Sequence, residues 1–327
     1  MGKFNVKRDG NQQNIAVLGR RKRGKYGLVR KIKPRIYAAL DLGTNNCRLL
    51  LAQPLGTGFK VVSSFSRVVK LGEGLTESGN LSDTSINRTI KALSICSNKL
   101  KVFDVVKSRN VATEACRRAA NCDEFFARIK LETGLKFKTV TSNEEAHLAL
   151  RGCQSLLNLE QPYALVFDIG GGSTEIIWAK SDGTKFNMVD VLSLPVGVLS
   201  LAETHVKDQI NNFYYEKMVH YIMDQLPKFC ESNNIEKNVL NNRVQMLGTS
   251  GTATTLGAIH LNLTHYDRSL IDGLNMTFDE LARASHKLTS VNYQERTKIP
   301  CIGVERAGLA VPGCAILEAI CRTWTTG

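Results

Sequence analysis

The chain has 327 residues and a net charge of +13, and 43% of its residues are hydrophobic. This length is sufficient for two domains of common size, each with its own core. No run approaches the roughly 18 uncharged apolar residues of a membrane helix, and the N-terminus lacks the apolar core of a secretory signal. We therefore expect a cytoplasmic protein without membrane contact.

The first part of the chain carries most of the charge. Residues 1–35 contain twelve Lys or Arg residues and one Asp, which gives this segment a charge of +11. Its Gly and Asn content predicts a disordered basic arm. Such an arm attracts polyanions, and RNA, anionic lipid, polyphosphate and a merely solubilising role remain open alternatives.

Residues 36–145 are expected to form a first domain. Apolar residues at helical spacing, with Ser82 or Asp83 as the cap, predict a long helix, and Gly134 closes a second helix. In chain order the predicted elements are a hairpin over 36–53, a strand over 59–64, a helix over 82–103, a strand over 111–113, a helix over 123–133 and a strand over 137–140.

Residues 146–327 are expected to form a second domain that repeats this plan. The predicted elements are a hairpin over 164–179, a strand over 188–194, helices within 198–230, a strand over 244–247, and a loop and helix from 248. This order of elements predicts an α/β fold. The nine cysteines are scattered without a C-x-x-C pair, so we interpret them as free thiols, and neither a zinc site nor a disulfide framework is supported.

A duplicated segment is the most informative feature of the sequence. Residues 40–52 and 167–179 share the order apolar, Asp, apolar, Gly, small or polar residues, one charged residue and an apolar run, and Asp168 lies 127 residues after Asp41. This repeat implies two similar halves that face each other across a cleft. Each half would present one aspartate and one small-residue loop.

Both copies read strand, turn, strand, so they differ from Rossmann and Walker loops, which lead into a helix. The glycines in Gly43–Asn46 and Gly170–Thr174 can adopt positive φ and direct successive N–H groups at one point, where phosphate oxygens fit. Asp41 and Asp168 would then lie at the loop mouths, where carboxylates can hold Mg²⁺. The alternative is a pair of ordinary glycine hairpins.

Glu145 is a further candidate. Ser142-x-x-Glu145 fits a capping box, in which the glutamate only reaches back to the Ser142 N–H. Alternatively, a carboxylate at this helix start, near the crossing between the halves, could deprotonate a water molecule.

A third small-residue loop follows the strand at 244–247. Its residues Gly248, Ser250 and Gly251 precede a helical segment, so their N–H groups are candidates for holding phosphate, although a threonine-satisfied glycine turn is the alternative. Arg117 could grip phosphate oxygens, although a lone surface arginine is the commoner alternative. Arg48 stands where Glu175 stands in the other copy, and this glutamate could join Asp168 around a metal.

Six motifs in this order carry a family resemblance: Asp41-Leu-Gly-Thr-Asn45, Arg67-x-x-Lys70-Leu-Gly-Glu-Gly-Leu75, Ala112-Thr-Glu-Ala-Cys-Arg-Arg118, Asn143-Glu-Glu-Ala146, Asp168-Ile-Gly-Gly-Gly-Ser-Thr-Glu175 and Gly248-Thr-Ser-Gly-Thr252. With them the chain resembles the Ppx/GppA phosphatases, which are exopolyphosphatases and guanosine pentaphosphate phosphohydrolases of the actin-like ATPase superfamily. The resemblance implies two ribonuclease H-like domains around a central cleft.

The resemblance also implies roles for individual residues. Glu145 looks like the base for the attacking water, and Asp168 and Glu175 match the Mg²⁺ positions. The positions that match its phosphate contacts are Asp41, Gly43, Thr44, Asn45, Arg117, Gly170, Gly171 and Ser173. Family members usually continue beyond residue 322 with a segment that packs on the first domain, so we expect either a truncated product or a domain that closes differently.

Three functions follow as hypotheses. The first is Mg²⁺-dependent hydrolysis of polyphosphate or guanosine pentaphosphate, with a homodimer as an open option. The second is binding of polyphosphate or nucleotide without turnover. The third is a kinase or chaperone-like ATPase, which would need an adenosine pocket that the sequence does not reveal.

Overall fold

The computed structural model describes residues 35–56, 58–205 and 212–324. Apart from Arg35, the predicted basic arm lies outside these residues. Arg35–Gly327 form one compact unit, and the predicted division into domains at residue 145 stays a prediction.

The first sheet has the strand order β3-β2-β1-β4-β5. Strands β1, β2 and β3 pair in antiparallel fashion, whereas β1, β4 and β5 run parallel. The elements are β1 Tyr37–Leu42, β2 Asn46–Leu55, β3 Gly58–Val68, α1 Leu75–Ser78, α2 Asp83–Val102, β4 Lys107–Ala112, α3 Glu114–Arg118, α4 Cys122–Thr133 and β5 Lys138–Thr139.

The second sheet repeats this pattern with the order β8-β7-β6-β9. Its elements are α5 Ser142–Cys153, a 3₁₀ turn Gln154–Leu156, β6 Tyr163–Ile169, β7 Thr174–Ser181, β8 Phe186–Leu194, α6 Val198–His205, α7 Asn212–Met223, α8 Pro227–Ser232, α9 Ile235–Leu240, β9 Val244–Thr249, α10 Ser250–His260, α11 Arg268–Ile271, α12 Phe278–Thr289, α13 Tyr293–Thr297 and α14 Gly303–Thr323.

The register of the two hairpins confirms the duplication. Asp41 pairs with Arg48 across β1 and β2, and Asp168 pairs with Glu175 across β6 and β7. A parallel strand, β4 or β9, then flanks the first strand of each hairpin on its other side. The predicted α/β fold with two ribonuclease H-like halves is therefore confirmed.

Burial along the first sheet alternates with the pleat. Leu40 and Leu49 are almost fully buried, and they pack with Ile90 of α2 and Phe125 of α4. Side chains of opposite parity are partly exposed, as at Asp41, or exposed, as at Ala39. One face of this sheet therefore forms a core with helices, as strand geometry requires when a sheet is covered on one side.

Most predicted elements are present, with shifted ends. Ser82 caps α2 by accepting a hydrogen bond from the Ser85 N–H at 3.2 Å, and Gly134 closes α4 with φ of 72°. The strand predicted at 111–113 in fact begins at Lys107. The prediction missed its first residues because the charged side chains on the exposed face interrupt the apolar pattern. All nine cysteines are free thiols. In the described part of the chain, every helix is too short or too polar to cross a membrane.

Candidate active site

A pocket of about 140 Å³ lies where the turns of both hairpins meet. It brings together twelve of the predicted site residues, namely Asp41, Gly43, Thr44, Asn45, Glu145, Asp168, Gly170, Gly171, Ser173, Glu175, Ser250 and Gly251. Arg117 and Gly248 are not among the residues that line it. The sequence repeat therefore locates the pocket, since equivalent segments of the two halves form its walls.

The turns of the two hairpins touch each other. Within each turn a backbone hydrogen bond of 2.9 Å closes the loop, from the Gly43 N–H to the Asn46 carbonyl and from the Gly170 N–H to the Ser173 carbonyl. A Cβ atom added to Gly171 would lie 2.9 Å from the Asn45 Cβ atom. A side chain at this glycine would separate the two turns.

The expectation of positive φ in these turns is wrong. Gly43 and the glycines of Gly170–Thr174 do not have positive φ. In the third loop, Ser250 has φ of 71°. The physical reason for the second glycine run is close approach instead, because Cβ atoms at Gly170 and Gly172 would lie 2.9 Å from the Ser173 carbonyl oxygen and 2.6 Å from the Thr44 hydroxyl.

Several turn amides remain available for a ligand. Among the described residues, the N–H groups of Thr44, Asn45, Gly171 and Gly172 have no protein acceptor. All four residues line the pocket. Because buried N–H groups require acceptors, these amides fit an anionic ligand.

The Arg67–Leu75 motif supports the first turn. The N–H groups of Val69 and Lys70 donate to the Asn45 carbonyl at 2.8 and 2.9 Å, and the Gly72 N–H donates to the Thr44 carbonyl at 3.0 Å. These bonds fix the backbone orientation of the turn that lines the pocket.

Arg88 of α2 holds this supporting segment in place. Its guanidinium donates to the carbonyls of Val69 and Lys70 and forms an ion pair with Glu73 at 2.8 Å. Arg88 of α2 is therefore connected to the first turn through the backbone of Val69 and Lys70.

Helix α6 supports the second turn in a similar way. The N–H groups of Val198 and Leu199 donate to the carbonyls of Gly170 and Gly171 at 3.0 and 2.8 Å. A Cβ atom at Gly197 would lie 2.4 Å from the Gly171 carbonyl carbon, so only glycine fits there.

Glu145 occupies the first turn of α5, and the capping-box interpretation is wrong. Thr141 is the N-cap, and its hydroxyl accepts from the Glu144 N–H at 3.1 Å, so Ser142 is already helical. The Glu145 carboxylate does not reach back to the backbone. It accepts a hydrogen bond of 2.6 Å from Arg117 instead.

Arg117 lies among carboxylates. Its guanidinium contacts Glu145 and Glu114 at 2.6 and 2.8 Å, donates to the Val140 carbonyl at 3.0 Å and lies 4.0 Å from Glu175. The expected role of Arg117 as a phosphate ligand stays a prediction. In the structure, its contacts orient Glu145 toward the pocket.

Burial changes the acidity of the pocket carboxyls. Burial raises the pKa of Glu145 to about 7, with the Arg117 contact opposing the change and the charges of Asp168 and Asp41 adding to it. Burial, followed by the charge of Glu145, raises the pKa of Glu175 to about 8. Burial also raises the pKa of Asp41 and Asp168. A bound metal ion would lower these pKa values, because a nearby positive charge stabilises ionised carboxylates.

Asp168 and Glu175 fit a metal ion that also binds phosphate. The Oδ1 atom of Asp168 is shielded from solvent and has no hydrogen-bond partner among the described residues, and Glu175 is 1% exposed. Within the described residues, no group of three or more His, Cys, Asp or Glu side chains could hold a metal by itself. Mg²⁺ typically takes one or two carboxylates together with waters and substrate phosphates, so the donor set is suitable.

The third loop joins β9 to the first turn of α10. Ser250 and Gly251 line the pocket, and the α10 N-cap, Thr249, makes no side-chain cap bond. The first-turn amides of this helix therefore fit an anion. Gly248 lies inside β9, where an added Cβ would be 2.6 Å from the Phe167 ring. The expected phosphate contact of Gly248 has no support in this placement, because the glycine accommodates an aromatic ring.

Two pocket cations were not assigned a role from the sequence. Arg48 lines the pocket, is 46% exposed and lies 3.9 Å from Asp41. Arg306 of α14 also lines the pocket and is exposed. The position of Arg48 opposite Asp41 in the hairpin was a usable signal, whereas nothing near Arg306 in the sequence indicated the site.

The comparisons with known proteins agree with this geometry. The model of the Ppx/GppA phosphatase family matches residues 51–326. The chain is 29% identical over 292 residues to a putative exopolyphosphatase of Haemophilus influenzae, covering 88% of this chain and 84% of that protein. It is 26% identical over 287 residues to a guanosine-5'-triphosphate,3'-diphosphate pyrophosphatase of Photobacterium profundum, covering 87% of this chain and 54% of that protein, about half its length.

A solved structure of the Ppx/GppA enzyme of Aquifex aeolicus is 27% identical to the chain, with a TM-score of 0.71 and coverage of 89% of this chain and 93% of that one. The family match includes the second hairpin turn and the loop between β9 and α10, whereas β1, the first turn and the first five residues of β2 precede it. The chain therefore belongs to the Ppx/GppA phosphatase family.

Proposed function

We propose that the protein is a Mg²⁺-dependent hydrolase that removes terminal phosphates from inorganic polyphosphate or guanosine pentaphosphate, with Glu145 as the base for the attacking water. The observation that carries the proposal is the position of Glu145. Its carboxylate lies at the wall of a pocket where four turn amides have no acceptor in the described part of the chain, and burial raises its pKa to about 7.

The polyanion specificity is supported by the pocket walls. Four turn amides, the first turn of α10 and the guanidinium groups of Arg48 and Arg306 all favour negative charge. Such groups stabilise the charge that develops on a phosphoryl group during transfer.

Glu145 would receive a proton from water as the water oxygen attacks the terminal phosphorus. A base with a pKa close to the working pH is ionised in a large fraction of molecules and is still basic enough to accept a proton. Arg117 holds one carboxylate oxygen, which leaves the other for the water. The leaving phosphate chain departs with the electron pair of the broken phosphoanhydride bond, so no covalent intermediate is needed.

Asp168 and Glu175 would hold the magnesium ion. An ion held there would supply positive charge that offsets the negative charge of the phosphate oxygens. The Oδ1 atom of Asp168 is buried and has no hydrogen-bond partner among the residues that the structure describes, which supports this assignment.

Both substrates contain the same terminal phosphoanhydride bond, and the matched relatives carry the names of both activities. Phosphate release should therefore be measured from each substrate, with Mg²⁺ and with EDTA. Glu145→Gln should abolish release, while Glu132→Gln is a matched control because the Glu132 carboxylate pairs with Arg128 of α4 outside the pocket.

Equal release by wild type and Glu145→Gln would remove this residue from the mechanism. Release that persists in EDTA would exclude the metal role. Tight binding of polyphosphate by wild type without any release would select the alternative, a family member that binds without turnover.

A further inference from the structure

The face of the first sheet opposite its helices, here termed the open face, carries a row of cations. On β4, Lys107 and Arg109 are exposed while Ala112 is fully buried against the helix side. The parallel register pairs Val111 with Asp41, so side chains of this parity share the face of Asp41. Strand β4 therefore directs two cations to the open face.

Strand β5 and the segment just before it add two more cations. Val111 pairs with Lys138, so this lysine shares the open face. The ring of Phe137 stacks on Phe126 of α4 at 6.3 Å, on the helix side of the sheet. Lys136 precedes β5 and lies beside β4, because its carbonyl accepts a hydrogen bond of 2.9 Å from the Asn110 side chain, and both lysines are exposed. The cationic row consists of Lys107, Arg109, Lys136 and Lys138.

The row begins beside the pocket. Lys138 is level with Asp41 and two strands away, about 10 Å across the sheet at the usual strand spacing. Lys107 lies four residues before Val111, so the row extends about 13 Å along the strands. A chain that leaves the pocket across this face would meet the row.

The charge of the row is largely uncompensated. Glu144 pairs with Arg109, but Lys107, Lys136 and Lys138 take part in no ion pair among the described residues. Strands β1 to β5 contain a single carboxylate, Asp41, at the pocket. Clustered like charges repel one another, and a bound polyanion relieves that repulsion.

We infer that the cationic row binds the part of a linear polyphosphate chain that extends out of the pocket, an inference that rests on the proposed function. A polyanion without bases is favoured over RNA, because sites for single-stranded nucleic acid combine cations with aromatic side chains on which the bases stack. Strand β4 contains no aromatic residue, and Phe137 lies on the helix side. On β1, Tyr37 pairs with Lys107, so one partly buried ring lies at the end of the row far from the pocket, and these strands provide no series of stacking platforms. The row thereby distinguishes long chains from short ones.

The test measures binding in the Glu145→Gln background, so that it does not depend on turnover. Lys136→Ser/Lys138→Ser should bind long-chain polyphosphate about tenfold more weakly than its parent at low salt and tripolyphosphate equally well. Lys228→Ser/Lys237→Ser, which removes two exposed lysines of the second half, is the matched control and should bind both probes as the parent does.

Unchanged affinity of the Lys136/Lys138 variant for long chains would overturn the inference, as would an equal loss of affinity for tripolyphosphate. Poly-uridylate that displaces long-chain polyphosphate at equal phosphate concentration would assign the row to RNA instead. Hydrolysis of tripolyphosphate by the protein with intact Glu145 tests the proposed function separately. Its absence, together with row-dependent binding, would reject the activity and keep the binding site.

Discussion

Arg117 donates a hydrogen bond of 2.6 Å from Nη1 to the Oε2 atom of Glu145. This contact lowers the pKa of the carboxyl while burial raises it, and the balance leaves the pKa near 7. The arginine therefore orients the proposed base and changes its pKa, although it does not itself line the pocket.

Arg117→Met should decrease the rate near neutral pH. Loss of the guanidinium leaves burial unopposed, so the pKa of Glu145 rises further, and each unit reduces the ionised fraction about tenfold. The rate should recover at higher pH, and Arg117→Lys should restore part of it. Rates of phosphate release measured against pH check this, and a loss of equal size at every pH would indicate a merely structural role.

The activity of the wild-type protein should increase with pH through about pH 7. Glu145 must be ionised to accept a proton, and its pKa is about 7. The measurement is kcat/KM from about pH 5 to pH 9, at saturating Mg²⁺. A profile that is flat across this range would contradict the assignment of Glu145 as the base.

Glu175→Gln should stabilise the protein at alkaline pH. Burial raises the pKa of Glu175 to about 8 from the ordinary 4.5. The folded state thus binds more protons than the unfolded state between these values, so the free energy of unfolding falls as pH rises through this window. Glutamine resembles the protonated form and does not titrate.

Thermal unfolding without added metal provides the measurement. We expect similar Tm values for Glu175→Gln and wild type near pH 5, and a Tm higher by several degrees for the variant near pH 9. Glu236→Gln, at an exposed position in α9, is the control and should change neither value. A variant less stable than wild type at both pH values would refute the sign of the effect.

Gly171→Ala should impair stability and catalysis together. The new Cβ atom would lie 2.9 Å from the Asn45 Cβ atom and 3.0 Å from its backbone nitrogen, so the two turns must move apart. Overpacking of this kind typically costs about 1–3 kcal/mol. Unfolding in urea and kcat/KM should both be measured.

Gly152→Ala is the matched control, because an added Cβ at this helical glycine meets no atom within 4 Å. It should leave the free energy of unfolding unchanged or increase it by about 0.5–1 kcal/mol. Equal effects of the two substitutions would show that the contact between the turns has no importance.

Arg88→Met should weaken substrate binding more than it slows the chemical step. Arg88 holds the carbonyls of Val69 and Lys70, whose N–H groups fix the Asn45 carbonyl. A looser first turn should raise KM about tenfold, with a smaller change in kcat. Arg128→Met, which removes a surface arginine of α4 paired with Glu132, should change neither constant. Equal kinetics of the two variants would exclude the positioning role.

The sequence predicted the duplicated hairpins well, because a repeated pattern of apolar residues, aspartate and glycine encodes both the strands and their turns. It did not reveal why the glycines are needed. Positive φ is the common reason for glycine in a turn, but at Gly171 and Gly172 the reason is contact with the opposite turn. Such a contact joins residues more than 100 positions apart, so local patterns carry no sign of it.

The same limit explains the error at Glu145. Ser142-x-x-Glu145 and the actual Thr141 cap are both consistent with the local sequence, and the decisive partner, Arg117, is 28 residues away. Arg306 was missed for a related reason. It reaches the pocket from α14, whose sequence contains no small-residue loop.

Arg48 and Glu175 occupy equivalent places in the repeated hairpins and carry opposite charges. The two strands and the turn are repeated, but the side chain opposite the aspartate is not. The first hairpin therefore offers a partly exposed guanidinium to the pocket, whereas the second offers a buried carboxylate. An anion is attracted to the first wall directly, while the second wall favours an anion only together with a cation. The two halves of the repeat thus divide the labour of binding between direct attraction and attraction through a metal ion.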